Sequence, residues 1–550
     1  MEKLKKYSIS NLSINSIIIF TILISIFSTI IFFQFTTDDA YITFRHSFNL
    51  VKNGILSWNI DGPKEEVFTN PLYVLLGTFG IKLGIKPELP IKIFSLGLFY
   101  FWLYRALKIC NPSTKVKKIC VASLFLLCIQ SYMHIFSGLE TLFYSFLLFE
   151  YLICEEFGSL KDISIGCILI LCRPEGAIFL LISIVRFIIR LINRNLTKSN
   201  LNNIANVISL LIIIFTIFIF SYKFLYFGDF FPNSFYAKTL KPYGTKGLGF
   251  IFELNNLFKN FLNSAPWLFL FIICFNWERI KGWDIFKFSG FGIIYFVYLR
   301  SWLAMNFGDR FWYQLFWPLI IYSIISNEKF LSIFSILKLP KNKFKNFSGM
   351  RSFLLSIAGI YWMISQFFIG PKAFLHKVTY MGRVIRAHAT IGKLLNNYLP
   401  PTASIYTLDA GLIPYYAKRR TYDRTLGTKE LVLNGVNNQF FEKKKPDIFV
   451  LYSAGCSDQM TYKELQKVEL DFIEKNQYIY LGGFYAAKNS CYNIYSNNKV
   501  SKFLDNTEFL DAKNRALVNT RKEREGILQD ILLSYRYLFS AGSDIPSDFE

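Results

Sequence analysis

Histidine is scarce in this 550-residue chain, with four copies, and acids are outnumbered by bases, 38 to 61. The nine cysteines form no CxxC pair and no Cys/His cluster at ligand spacing, which argues against a zinc site. No internal repeat or low-complexity tract occurs, so solenoids are excluded, and the last ten residues are expected to fray. No small-x-small cleavage signature follows the first apolar run, and that run reads as a retained span.

Long apolar runs are what the chain has instead. It is 53% hydrophobic and 18% aromatic. A span needs about 20 mostly apolar residues. Runs near that length recur at 14–35, 91–107, 119–137, 139–154, 176–193, 205–227, 264–276, 284–304, 311–327 and 352–370. Backbone in lipid must satisfy its own hydrogen bonds, so runs of Ile, Leu and Phe are expected as helices. The fold class is a polytopic α-helical membrane protein. The division of residues 71–108 leaves the count at about 11–13 spans.

The formal net charge of +23 suggests nucleic acid, but its distribution argues against that partner. Basic residues cluster between spans, in MEKLKK, 105–118, 186–198, 278–281 and 338–351. Positive charge in short loops marks the cytoplasmic side. With the N-terminus inside, residues 36–70, 135–139, 173–175, 227–262, 305–310 and everything after 370 fall on the extracytoplasmic face.

Composition shifts after Pro371. The sequence divides into a membrane domain, 1–371, with an interfacial first loop at 36–70, and a soluble domain, 372–550. In the latter a helical pattern at 381–399 alternates with strand-like runs at 404–408, 447–453 and 478–485, a small α/β pattern. Residues 505–539 are charged and helix-prone. Cys456 and Cys491 lie in this extracytoplasmic part, where pairing would be permitted.

TTDDAYITFRH, residues 36–46, follows the first span. Tyr41, Phe44, Phe48 and Val51 share one helical face, with Asp38, Arg45 and Asn49 beside it, as in an interfacial helix. Thr37 is a good N-cap, and Asp38 and Asp39 suit the dipole of a first turn. The competing reading is a general base at the membrane surface, where the second carboxylate raises the pKa of the first or helps to hold a cation. Four further polar islands share this face: SGLET with Glu140, RPEG with Arg173 and Glu175, YFGDFFPNSFYAK with Asp229, Asn233 and Lys238, and FGDRFW with Arg310. Each alone reads as a cap or interface anchor. Together they suit an anionic lipid headgroup, because the planar fork of arginine bonds two phosphate oxygens. His46 is expected to be solvated or headgroup-facing, and Asp409 to open a turn.

The ordered pieces DDAYITFRHSFNLVKNGILSWN (38–59), EVFTNPL (66–72), GLET (138–141), RPEG (173–176) and YFGDFFPNSFYAK (226–238) carry a resemblance. Downstream come DAGLIPYY (409–416), Asp423 and LGTKE (426–430). The sequence resembles the bacterial polytopic glycosyltransferases related to mycobacterial terminal arabinofuranosyltransferase. These belong to the GT-C superfamily, with aminoarabinose transferase and protein mannosyltransferase as distant relatives. GILSWN lacks a second glycine usual in that family, and Val67 stands where glycine is common.

The resemblance implies sugar transfer from a polyprenyl-phosphate donor to a glycan, lipid or protein acceptor of the cell envelope. It implies a bacterial inner-membrane enzyme working on the extracytoplasmic face. The implied base is a first-loop acid, Asp38 or Asp39, with Asp38 favoured. Arg173, Glu175, Arg310 and Lys238 would bind the donor phosphate and headgroup. Arg45, Glu66, Thr69, Asn70, Glu140, Asp229 and Asn233 would line the sugar and acceptor cleft. Direct displacement with one carboxylate favours inversion. No cofactor is required, although a divalent cation at the Asp pair is compatible with the sequence. A non-catalytic polyprenyl-lipid headgroup binder or flippase is the alternative. A transporter would need polar groups near the bilayer midplane, and these islands sit at span ends.

Overall fold

The computed structural model describes residues 19–110, 115–154, 158–192, 204–239, 250–275, 284–301, 303, 306–326, 380–453, 466–487 and 490–504. The apolar run 352–370, the basic segment 338–351, the helix-prone 505–539 and Cys456 lie outside these residues.

The apolar runs are helices packed into one bundle. Glu88–Ile109, Thr141–Ile153, Leu160–Cys172, Ala177–Ile192, Ile204–Phe227, Phe250–Cys274, Asp284–Arg300 and Arg310–Ser326 cover the expected stretches. The run 119–137 is a bent pair, with Lys117–Leu127 and Ile129–Phe136 meeting at 54°. Among the described residues, Ile204–Phe227 alone is long and apolar enough to cross a membrane in one piece, and the bent pair makes two. RPEG is the turn of a hairpin between two packed helices. A Cβ at Gly176 would sit 2.3 Å from the Leu169 carbonyl carbon, so only glycine lets the chain reverse there.

The open question over 71–108 has a physical answer. Asn70 caps Pro71–Lys82, accepting the Leu72 N–H at 3.0 Å, and Pro71 supplies the fixed φ of a first helical residue. This helix has 12 residues, roughly 18 Å at 1.5 Å per residue, and is too short to cross. Glu88–Ile109, with 22 residues, is the long helix of the region.

The C-terminal part holds a five-stranded mixed sheet in the order β2-β1-β3-β5-β4. The strands are β1 Ser404–Thr407, β2 Arg420–Asp423, β3 Ile448–Ser453, β4 Ile479–Ala487 and β5 Ser490–Ser496. β1 pairs in parallel with β2 and β3, and β5 runs antiparallel between β3 and β4. The helical pattern at 381–399 resolves as a π turn, Tyr380–Ile385, leading into the helix Arg386–Tyr398. Three strands were legible in the sequence, while β2 and β5 were not. Cys491 on β5 is disulfide-bonded.

Candidate active site at one end of the bundle

The first loop is stitched to the bundle by backbone bonds. Thr37 donates from both N–H and Oγ1 to the Ser137 carbonyl, at 3.0 and 3.1 Å. Gly138, at φ +78°, fits against Ala40, and a Cβ there would lie 2.8 Å from the Ala40 Cβ. The helix Ala40–Asn53 begins after Asp39, which makes no side-chain cap bond. Thr37 is therefore not the expected N-cap, and the acids precede the first turn rather than occupy it.

The two carboxylates point to different places. Asp38 is 5% exposed, accepts the Leu412 N–H at 2.9 Å on Oδ1, and meets His388 Nδ1 at 3.0 Å on the same oxygen. Its own N–H donates to the Tyr380 hydroxyl at 3.0 Å. Asp39 has a side chain 29% exposed, and its Oδ2 lies 3.7 Å from Arg310 Nη1.

Arg173 and Arg310 are neighbours, both against the Phe311 ring, at 5.7 and 5.0 Å. Arg173 bonds Glu140 through Nη1 and Glu175 through Nε, each at 2.7 Å. Tyr298 donates to Glu175 at 2.7 Å and accepts from Gln314 at 2.5 Å. GLET and RPEG thus meet in one saturated ion cluster. Arg310 is as buried, yet its Nε and Nη1 have no hydrogen-bond partner.

Other predicted cleft residues hold the loop to the C-terminal domain. Arg45 donates to the backbone oxygens of Trp58, Pro414 and Arg419 and to Asn59 Oδ1. Burial pushes its pKa down to about 9, opposed by Glu65. His46 is fully buried, which corrects the solvated reading: its nitrogens face the Ile42 and Glu65 carbonyls, and burial pushes it down to about 4. Glu66 pairs with Lys223 at 2.9 Å, and its carbonyl accepts the Asn233 N–H at 2.7 Å. Burial pushes Glu65 and Glu66 up to about 7, opposed by the Lys429 N–H and by Lys223 respectively. Asp229 pairs with Lys429. Asn70 also donates to Cys172 Sγ at 3.6 Å, while Thr69 is half-buried beside it. Lys238 falls in the helix Asn233–Thr239, and its side chain lies outside the described residues.

The first loop and C-terminal domain form one packed body around Trp58, whose Nε1 donates to the Thr421 carbonyl at 3.2 Å. Ile42, Val67 and Ala410 complete that small core. A cavity of about 360 Å³ opens beside it, lined by Asn59, Glu65, Arg420, Tyr422, Lys429 and Lys444 among others.

His388 was missed by the sequence reading. It carried one signal: with Ile391 and Leu395 it occupies the buried stripe of its helix at i, i+3 and i+7. Asp409, expected to open a turn, lies half-buried near Asp38. Burial pushes its carboxyl up to about 6, opposed by His388, and Tyr492 bonds it. Burial opposes the charge on His388, yet the Asp38 carboxylate holds its pKa above the ordinary value.

Two crystal structures of ArnT from Cupriavidus metallidurans are similar to this chain in fold. The apo structure superposes with a TM-score of 0.51 over 88% of this chain and 98% of ArnT, at 12% sequence identity. The chain shares the ArnT fold. The structure of ArnT bound to undecaprenyl phosphate gives a TM-score of 0.49 over 87% and 98% of the chains, at 11% identity. Residues 379–495 match a domain of unknown function (DUF8728). No curated protein matches the sequence.

Proposed function

We propose that this protein is a GT-C glycosyltransferase that moves a sugar from a polyprenyl phosphate to a hydroxyl acceptor of the cell envelope. The observation that carries this reading is Arg310, a buried guanidinium with two nitrogens that make no hydrogen bond among the described residues, set beside the half-open carboxylate of Asp39. An unsatisfied buried donor is costly unless a ligand uses it. A phosphate oxygen is the acceptor that such a fork fits.

In this reading Arg310 holds the phosphate as the bond from the anomeric carbon to its oxygen breaks. The acceptor oxygen forms the new bond from the opposite face, and Asp39 takes its proton. Polyprenyl phosphate leaves with the electron pair, its charge met by Arg310. One displacement inverts the anomeric centre. The sequence favoured Asp38 as base, whereas the geometry favours Asp39, because both donors on Asp38 meet one oxygen beneath the C-terminal domain. Arg173 then acts as a structural cation that keeps the end of the bundle rigid, its Glu140 and Glu175 partners with it. Glu66, Asn233 and Asp229 anchor the loop that borders the acceptor side.

The disulfide at Cys491 supports an extracytoplasmic C-terminal domain, since disulfides persist in oxidising compartments. The test is to give purified protein several polyprenyl-phosphate sugars and to follow transfer or hydrolysis. Turnover that disappears in Asp39→Asn while donor binding is retained supports the enzyme. Folded wild-type protein that binds donor but turns none over would mean a headgroup binder or flippase.

A further inference from the structure

The cavity beside Trp58 is walled by the first loop and by the C-terminal domain, and its lining is charged. Lys64, Arg420, Lys429 and Lys444 face it, with Asp61, Glu65 and Glu430. Two of these are already engaged: Lys429 pairs with Asp229, and Glu430 lies 4.0 Å from Lys443 outside the cavity. Three bases then face two acids, Asp61 and Glu65, and one positive charge is left over. Glu65, pushed up to about 7 by burial, is only partly ionised at neutral pH, so the surplus is not cancelled.

Arg420 carries the second, independent sign. Its side chain is half-buried, and its Nε, fully buried, makes no hydrogen bond among the described residues. Such a donor costs stability unless a ligand uses it or orders the groups around it. Two neighbours hold the guanidinium in place. It lies 5.6 Å over the Tyr422 ring, and the Lys444 ammonium lies 6.0 Å from the same ring, so two cations converge there. Gly62, at φ +90°, leaves the space that Arg420 fills, since a Cβ there would come within 3.1 Å of Arg420 Nη2.

We propose that this cavity binds the carboxylate of a uronic-acid sugar in the acceptor, with Arg420 as the fork for its two oxygens and Lys444 as the second cation. The planar fork of arginine matches a planar carboxylate, and one surplus positive charge matches a monoanion. A phosphate monoester, with a charge of about −1.5 to −2, would set its further charge against Glu65. The volume, about 360 Å³, lies in the range of small-molecule sites. The cavity shares no residue with the Arg310–Asp39 pair, so it takes a part of the acceptor other than the reacting hydroxyl. The acceptor role rests on the glycosyltransferase reading, whereas the preference for a carboxylate rests on the cavity alone.

The site is tested without any transfer assay. Full-length protein in detergent is titrated with glucuronic acid, glucose 6-phosphate and glucose, and binding is followed by ligand-observed NMR. Glucuronic acid should bind more tightly than the other two. Arg420→Gln and Lys444→Gln should each weaken it by about ten-fold, the loss expected when a hydrogen bond to a charged group is removed. Lys502→Gln, at an exposed base on Asn498–Leu504, should leave it unchanged. Folded wild-type protein that does not bind glucuronic acid overturns the proposal, as does equal or tighter binding of either other sugar, or full affinity in either cavity variant. The wild-type ranking needs no variant, so it decides the matter even where a substituted protein misfolds. Absence of turnover with every donor would sink the transferase reading and leave this ranking standing.

Discussion

Arg173 and Arg310 stand side by side against one phenylalanine ring, equally buried, and differ in what surrounds them. Arg173 is closed in by two carboxylates from GLET and RPEG. Among the described residues Arg310 keeps two nitrogens without hydrogen bonds, and its one ion-pair neighbour is the more distant carboxylate of Asp39. In the proposed reading the filled fork of Arg173 stabilises the bundle, and the open fork of Arg310 is the one left to bind phosphate. Both lie in polar islands on one face, so composition and order alone assign them the same phosphate role.

Three predictions probe that difference, and a fourth concerns the loop beside it. The largest effect is expected from Asp39→Asn, which removes the base and should cut transfer by roughly 10²–10⁴-fold with donor binding retained, measured by steady-state turnover and donor titration. Unchanged turnover would move the base back to Asp38. Next, Arg173→Ala leaves the buried Glu140 and the half-buried Glu175 without their partner and should cost about 3–5 kcal/mol of stability, read by thermal unfolding in detergent. Arg310→Gln should do the reverse. Transfer and donor affinity fall by about ten-fold or more, the expected loss when a charged hydrogen bond is removed, while the unfolding temperature holds or rises. An Arg310 variant that unfolds as readily as the Arg173 one would erase the distinction.

The smallest effect concerns pH. Glu65 binds its proton more tightly folded, at about 7, than unfolded, at 4.5. Its contribution is fully present below the unfolded value and is lost as pH rises towards 7. Glu65→Gln should therefore flatten part of the fall in stability over that window, measured by thermal shift across pH. Glu66 has the same sign and leaves a residual slope.

Much of the bundle was legible because lipid demands long apolar helices, and the first loop was legible as an amphipathic helix. Two helices show where that legibility stops. Ile204–Phe227 leaves Leu211, Phe215 and Phe218 exposed, whereas Arg310–Ser326, also rich in apolar side chains, is buried along nearly its whole length. Periodicity cannot rank two helices that are apolar all round. β2 and β5 were missed for a related reason: RTYD is four residues long and polar, and SCYNIYS carries Ser and Asn among its aromatics, so neither shows a strong strand pattern.

The sequence by itself determined the largely helical class, the change of character after Pro371 and the set of polar islands. Each follows from local composition and from the length of chain that lipid requires. Tertiary structure alone decided which charges are satisfied. Asp38 and Asp39 are adjacent in sequence, yet one lies under Leu412 and His388, more than 340 residues away, and the other faces Arg310. Hydrogen-bond partners that distant leave no mark in local pattern, because satisfaction of a buried charge depends on which elements meet.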